Sequence, residues 1–187
     1  MAFGANQARG VAIGICLASI VGLNSPIAGA SAAPPICSTR NLSLGRGENV
    51  SPQTGESGGV FTLRNHGKFA CYLYGRPSVS LYDNNGRVLP FKYLWVGTQY
   101  LSQTPPAVVL LKPGARAYFL VAKYRCDIGD VTTAKTIRVY PPNATQQIFG
   151  SSAPFGLGGG FSYCKGGAKD PGNRVEISPV RATYQSM

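Results

Sequence analysis

Four cysteines follow an N-terminal segment that has the order of a secretory signal, and this combination constrains the fold more than any other feature of the chain. They are Cys37, Cys71, Cys126 and Cys164, whereas a fifth, Cys16, lies inside the N-terminal apolar segment. An even number of cysteines behind an export signal predicts an oxidising compartment and two structural disulfides. The cysteines include no Cys-x-x-Cys pair and the chain has no histidine cluster, so neither a redox centre nor a zinc site is expected.

The N-terminus is predicted to be a cleavable signal peptide. Arg9 is the only charge before residue 40, an apolar run occupies residues 11–23, and small residues fill 28–33. The Ala-x-Ala rule places cleavage after Ala30 or Ala32. The alternative is a membrane anchor, but spanning a bilayer needs roughly 20 apolar residues, more than this run contains. We therefore expect a secreted, extracytoplasmic protein with no transmembrane segment once the signal is removed.

With residues 1–32 assigned to the signal peptide, residues 33–187 are predicted to form a single all-β domain. Charged residues make up only 13% of the chain, while 24 Gly and 14 Pro supply turns, and this balance favours sheets over helices. We count seven to nine short strand signals separated by turn residues, a pattern typical of an immunoglobulin-like Greek-key β-sandwich. The clearest strand segments are 60–63, 71–74, 79–82, 87–89, 108–111, 115–124, 136–140 and 174–177.

Two turns are explicit in the sequence. Asp83-Asn84-Asn85-Gly86 lies between two strand segments, and an Asn-Gly pair there predicts a hairpin because both residues tolerate positive φ. Lys112-Pro113-Gly114-Ala115 has Pro and Gly where a type II turn places them. The segment 115–124 that follows is apolar on both alternating faces, so we expect a central strand that is covered on both sides.

Several motifs, interleaved with the four cysteines, occur together in a recognisable order. They are Phe61-Thr62-Leu63-Arg64-Asn65, Cys71-Tyr72-Leu73-Tyr74-Gly75-Arg76-Pro77, Val79-Ser80-Leu81-Tyr82-Asp83, Leu111-Lys112-Pro113-Gly114-Ala115-Arg116-Ala117, Ile137-Arg138-Val139-Tyr140-Pro141-Pro142 and Ile177-Ser178-Pro179. In this order the chain resembles the domain-of-unknown-function 4232 family of exported actinobacterial proteins over about residues 37–180. The resemblance implies an extracytoplasmic sandwich domain with disulfides, and it implies no catalytic residues.

Four cysteines permit three disulfide pairings. We favour Cys37–Cys71 and Cys126–Cys164. The first bond would tie the N-terminal segment to the strand after Leu63. The second would tie the end of the central strand to a Gly-rich segment.

The sequence contains no recognisable catalytic constellation. The single histidine, His66, lies in a predicted turn, and no Gly-x-Ser-x-Gly nucleophile motif is present. Asp127 and Asp130 are close in sequence, but their spacing is that of a turn. We therefore predict a protein that is not an enzyme and that holds no metal or cofactor. A secreted hydrolase that uses Asp127, Asp130 or His66 is the alternative.

The formal net charge of +11, which falls to +10 when Arg9 is removed with the signal peptide, calls for an anionic partner or surroundings. The basic residues are dispersed, and the densest spots are Lys123 with Arg125 and Lys165 with Lys169. Nucleic acid is not expected, because nucleic-acid-binding proteins cluster their charge. The candidate partners are an anionic envelope component or another extracellular protein.

Residues 91–106 are predicted to be a long connection rich in aromatic side chains. Tyr93, Trp95 and Tyr100 are the predicted contact residues, because aromatic residues are favoured at binding surfaces and sandwiches carry contacts on their loops. The competing interpretation is that Phe91 and Trp95 cover the sheet as ordinary core. We predict a binding or interaction module at the bacterial cell envelope; an inhibitor or effector that acts through its loops is a further alternative.

Overall fold

A computed structural model of the chain describes residues 33–50, 55–95, 105–151 and 161–184. The chain from Ala33 onward forms one compact unit. In the described residues, regular structure consists of strands and three short 3-10 helices, so the protein is all-β as predicted. None of the helices described is long and apolar enough to cross a membrane. The predicted signal peptide lies outside the described residues.

The strands are β1 (Leu42–Val50), β2 (Glu56–Asn65), β3 (Cys71–Leu73), β4 (Ser78–Tyr82), β5 (Lys92–Leu94), β6 (Val109–Leu111), β7 (Arg116–Tyr124), β8 (Asp130–Thr133), β9 (Thr136–Tyr140), β10 (Ile148–Ser151), β11 (Ser162–Cys164) and β12 (Arg174–Ile177). The 3-10 helices are Thr39–Asn41, Gly167–Lys169 and Pro171–Asn173.

The largest sheet has the strand order β1-β2-β7-β12-β5. Its neighbouring strands are antiparallel, except that β5 pairs with β12 in parallel. β7 is central, as predicted, and is apolar on both faces. Phe119 and Val121 on one face belong to the main core, while Leu120 and Ala122 on the other face pack with Val60 in a second cluster.

Three smaller sheets complete the described part of the domain, with strand orders β10-β9-β4, β11-β8 and β3-β6. One core joins them to the five-stranded sheet, because buried side chains of the large sheet and of the smaller sheets form a single cluster. Its fully buried members include Leu63, Phe119, Ile177, Leu73, Leu81, Leu111, Ile137 and Val139. Phe61 and Phe119 stack at its centre, with ring centroids 5.5 Å apart.

The predicted number of strands is wrong, since the described residues contain twelve rather than seven to nine. The segment predicted as a long connection contains β5, whose three residues pair with β12 about 80 positions later in the chain. Such a short strand with so distant a partner leaves little local signal. Conversely, the predicted strand 87–89 makes only an isolated bridge between Tyr82 and Val88.

Both predicted turns are confirmed. The backbone N–H of Gly86 donates to the carbonyl of Asp83 at 3.2 Å, and Gly86 has a φ of 72°. The N–H of Ala115 donates to the carbonyl of Lys112 at 2.9 Å, with Gly114 at a φ of 82°. Glycine is favoured at Gly86 and Gly114 because a Cβ atom makes positive φ costly.

The structure contains both favoured disulfides, Cys37–Cys71 and Cys126–Cys164, with S–S distances of 2.02 Å and 2.07 Å. The first fastens the segment before β1 to β3. The second fastens the chain just after β7 to the last residue of β11. The two disulfides therefore hold different parts of the domain.

Candidate binding groove

Tyr93, a predicted contact residue, joins the five-stranded sheet to β4. Its hydroxyl oxygen accepts a hydrogen bond from the backbone N–H of Leu81 at 2.9 Å. Its ring meets Phe91 edge-on, with centroids 6.4 Å apart. Burial raises the pKa of Tyr93 to about 12, although the hydrogen bond to Leu81 acts in the opposite direction. Tyr93 is therefore chiefly a packing residue that connects two sheets.

Trp95 lies beside Tyr93 but is 55% exposed, so the interpretation of Trp95 as ordinary core is wrong. Phe91, in contrast, is buried as that interpretation expected. Trp95 lines a concavity of about 470 Å³ together with Ser78, Val79, Tyr93, Leu94 and Ile177. Tyr100, the third predicted contact residue, lies outside the described residues.

A second concavity lies on the two-stranded sheet β3–β6, and the sequence did not point to it. We call it the β3–β6 groove; it has a volume of about 580 Å³ and is lined by Ala33, Pro34, Tyr72, Tyr74, Val108, Leu110 and Asn143. Val108 is 64% exposed, Leu110 51% and Tyr74 46%. An antiparallel sheet with one face on the core normally presents polar side chains on its other face. Here the outer face is apolar as well.

Strand alternation explains which side chains form this groove. Cys71, Leu73, Val109 and Leu111 are buried in the core. The residues between them necessarily point to the opposite face. Tyr72 lies directly across from Leu110 in the register of the two strands. The groove is thus the outer face of strands whose inner face is core.

Among the described residues, the groove ends at a strand edge that no other strand covers. The N–H of Tyr72 donates to the carbonyl of Pro35, and the carbonyl of Tyr72 accepts from the N–H of Cys37, both at 2.9 Å. Because backbone groups alternate in direction along an antiparallel strand, Cys71 and Leu73 must direct theirs toward β6. The N–H and C=O of Leu110 consequently point away from β3. In the part of the chain that the structure describes, β6 pairs only with β3.

Two contacts hold the walls of the groove in place. Asn143 has a φ of 61°, and its Nδ2 donates to the backbone carbonyl of Tyr74 at 3.2 Å. Asparagine tolerates this left-handed conformation better than most residues. On the opposite wall, the Cys37–Cys71 disulfide holds the chain next to Pro34 against β3. The groove is therefore largely formed before any partner binds.

Of the residues of the alternative hydrolase, the structure separates His66 from Asp127. The register of β2 with β7 places Arg64 opposite Arg116 at one end and Glu56 opposite Tyr124 at the other. His66 follows β2 and Asp127 follows β7, so they lie at opposite ends of the sheet, roughly 25 Å apart at ~3.3 Å per strand residue. His66, Asp127 and Asp130 are all exposed. No group of three potential metal ligands was found in the described ranges.

Lys123 does not contribute to the exposed positive charge. The sequence suggested Lys123 and Arg125 as a dense basic spot, but Lys123 is only 3% exposed. It follows the alternation of β7 and lies on the same face as Phe119 and Val121. The signal for this burial was present in the sequence, because the strand was predicted to be covered on both faces through its end.

The fold and the groove together define an all-β, disulfide-bonded domain with a preformed apolar surface. The family match agrees with this class: it is to a domain of unknown function, DUF4232, over residues 37–181. The chain belongs to this family, as the resemblance in its motifs indicated. No curated protein and no solved structure matched the chain.

Proposed function

We propose that this chain is a secreted, non-enzymatic binding module of the bacterial cell envelope, and that its β3–β6 groove holds an extended apolar segment of another extracytoplasmic protein. The observation that carries the proposal is the exposed apolar face of β3–β6, beside a strand edge that is open in the described ranges. Exposed apolar patches of this kind mark interaction sites in soluble proteins.

The open edge favours an extended peptide over other apolar ligands. An extended chain that adds to a strand edge forms backbone hydrogen bonds there, and its alternate side chains enter pockets on the face of the sheet. The outward-facing N–H and C=O of Leu110 supply the first requirement. The exposed side chains of Val108 and Leu110 supply the second.

The finer features of the fold and of export belong to the same proposal. Packing of the five-stranded sheet against smaller sheets around one core supports an immunoglobulin-like Greek-key sandwich. The order of charges and apolar residues in 1–32 supports a cleaved signal peptide and export. An actinobacterial source is only what the family resemblance implies. The two disulfides agree with an oxidising compartment.

A random peptide library displayed on phage tests the proposal. We expect the oxidised protein to enrich peptides with apolar residues at alternate positions. The variant Leu110→Lys should weaken binding of a selected peptide by about tenfold or more, because it places a charge in the apolar groove.

Ile128→Lys is the matched control. Ile128 is 69% exposed and follows β7, away from the groove, so the same change of chemistry there should leave binding intact. If the selected peptides bind equally to wild type and to Leu110→Lys, the groove is not the binding site. If Trp95→Ala lost peptide binding while Leu110→Lys kept it, the binding site would instead be the concavity beside Tyr93.

A further inference from the structure

The Cys126–Cys164 disulfide has a buried ammonium group beside it. Nζ of Lys123 lies 4.0 Å from Sγ of Cys126 and 4.0 Å from Sγ of Cys164. The same ammonium donates a hydrogen bond to the backbone carbonyl of Tyr124. A buried lysine normally has a specific partner. The two sulfur atoms are part of the surroundings of this one.

The charged groups that face Lys123 are acidic. They are Asp130 on β8 and Asp170, which precedes the last 3-10 helix. Oδ1 of Asp170 accepts from the N–H of Gly172 at 2.9 Å, while its buried Oδ2 has no hydrogen-bond partner among the described residues. Burial lowers the pKa of Lys123 to about 8 although both carboxylates oppose this. The amine is therefore still mostly protonated at pH 7.

The two sulfur atoms of this disulfide differ in access. Cys126 is half-buried, whereas Cys164 is completely buried. The side chain of Asn173 also holds the backbone of Cys164. The N–H of Cys164 donates to Oδ1 of Asn173 at 2.7 Å, and its carbonyl accepts from Nδ2 of Asn173 at 3.0 Å. An external thiol therefore reaches Cys126 first and leaves Cys164 as the departing sulfur.

We propose that Cys126–Cys164 is a thiol–disulfide exchange site that an external dithiol opens and Lys123 assists. The thiolate of the dithiol bonds to Sγ of Cys126, the bond between Cys126 and Cys164 breaks, and its electron pair leaves on Sγ of Cys164. The second thiol of the reductant then attacks the mixed disulfide and releases Cys126. The protein disulfide gains two electrons and two protons, and the dithiol is oxidised to a disulfide.

Lys123 acts on the sulfur that leaves. Exchange is faster when the leaving thiol has a lower pKa, and a neighbouring ammonium stabilises the thiolate. The other disulfide lacks this arrangement. Cys37 and Cys71 are both buried, at 3% and 6% exposure, and neither sulfur accepts a hydrogen bond from a lysine in the described part of the chain. Cys37–Cys71 therefore serves as the reference against which the opening of Cys126–Cys164 is compared.

The rates of opening of the two disulfides test the proposal. The oxidised protein is mixed with dithiothreitol at pH 7, samples are alkylated over time, and each disulfide is followed by peptide mapping. We expect Cys126–Cys164 to open about tenfold faster than Cys37–Cys71, and Lys123→Met to slow only the faster reaction by about tenfold. Lys165→Met is the matched control, because it removes an exposed cation next to Cys164 in the chain and should change neither rate.

The variant Cys126→Ser adds a measurement that does not require Lys123→Met to fold. It leaves Cys164 as a free thiol, whose ionisation is followed by thiolate absorbance. We expect its pKa to lie below the ordinary value of about 8.5. Equal opening rates of the two wild-type disulfides, or a Cys164 pKa of about 8.5 or above, would overturn the proposal, whereas the binding function of the β3–β6 groove would be unaffected.

Discussion

Two ionisable side chains of the five-stranded sheet, Tyr93 and Lys123, are buried with different consequences for stability at neutral pH. Burial raises the pKa of Tyr93 to about 12 and lowers that of Lys123 to about 8. The physical cause is the same, because burial disfavours the charged form of each group. At neutral pH Tyr93 is in its favoured neutral form, whereas Lys123 carries its disfavoured charge. At neutral pH the raised pKa of Tyr93 therefore leaves stability unchanged, whereas the buried charge of Lys123 costs stability.

We expect Tyr93→Phe to destabilise the protein by about 1–3 kcal/mol, because it leaves the buried N–H of Leu81 without its hydrogen-bond acceptor. The free energy of unfolding in urea measures this. Tyr163→Phe is the control: Tyr163 packs edge-on against Phe91 at 5.4 Å, and its hydroxyl has no hydrogen bond in the described structure. Equal losses in the two variants would contradict the bridging role of Tyr93.

Lys123 makes stability depend on pH in a defined window. Its pKa is about 8 in the folded protein and near 10.5 when unfolded. Between these values the unfolded chain binds more protons, so stability rises with pH. We expect a gain on the order of 2 kcal/mol between about pH 8 and pH 10. Urea unfolding at several pH values measures the slope, and Lys123→Met should flatten it.

The series stops at about pH 10 because Tyr93 then begins to lower stability as the unfolded chain ionises. An unchanged slope in Lys123→Met would assign the effect to other groups.

At the level of elements, the position of the β3–β6 sheet depends on a residue of β2. Nδ2 of Asn65 donates to the backbone carbonyls of Leu111 at 3.0 Å and Phe69 at 2.9 Å, and Oδ1 accepts from the N–H of Gly67 at 2.9 Å. Asn65 is only 1% exposed. One amide therefore holds both the end of β6 and the loop that leads to β3.

We expect Asn65→Ala to cost roughly 2–4 kcal/mol, because three hydrogen bonds are lost and buried backbone groups are left unpaired. The same variant should weaken peptide binding in the groove, because β6 is no longer fixed. Asn85→Ala, in the exposed turn before Gly86, is the control and should change stability by no more than about 0.5 kcal/mol. Wild-type stability in Asn65→Ala would show that the hydrogen bonds of Asn65 are replaced by water.

The elements that the sequence predicts well are those with a local signal. β2 and β7 contain apolar runs, and β9 alternates apolar with polar residues. The turns at 83–86 and 112–115 have the residues that their backbone conformations require. β8 and β11 were missed because they have only four and three residues and no apolar run. Their pairing is decided by distant parts of the chain.

The groove was missed for a related reason. Val108-Val109-Leu110-Leu111 is a continuous apolar run, and such a run is typical of a strand covered on both faces. Whether a second layer covers the outer face depends on tertiary packing, which the run itself does not encode. Tyr93, predicted as a contact residue because of its aromatic ring, has a further role that the sequence did not indicate, since its hydroxyl connects two sheets.

At the level of the whole molecule, two disulfides of similar loop length hold different parts of the domain. Their cysteines are 34 and 38 residues apart. In the chain-entropy model, loops of this length contribute nearly equal stabilisation, roughly 3–4 kcal/mol each. Their functional consequences should nevertheless differ, because only Cys37–Cys71 adjoins the β3–β6 groove.

We therefore expect Cys37→Ala/Cys71→Ala and Cys126→Ala/Cys164→Ala to lower the free energy of unfolding by similar amounts, roughly 2–4 kcal/mol. Peptide binding should fall only in the first variant, since it frees the wall that contains Pro34. Urea unfolding and peptide affinity, measured at a temperature where both variants are folded, separate the two effects. Equal loss of binding in both variants would mean that the groove responds to global stability rather than to its own wall.

The net charge of +11 adds a second kind of association, which salt distinguishes from the first. Attraction between dispersed basic residues and anionic envelope polymers or lipid headgroups is screened over about 10 Å at 0.1 M salt and about 3 Å at 1 M. Contact between apolar side chains in the groove is not screened. We expect retention on anionic vesicles to be lost as salt is raised, while the affinity for a selected apolar peptide stays within about twofold because burial of apolar area drives it.

Leu110→Lys should produce the opposite pattern, with peptide binding lost and vesicle retention kept. If salt abolished both kinds of binding in wild type, the groove would contribute little, and the charge of the molecule alone would account for the binding.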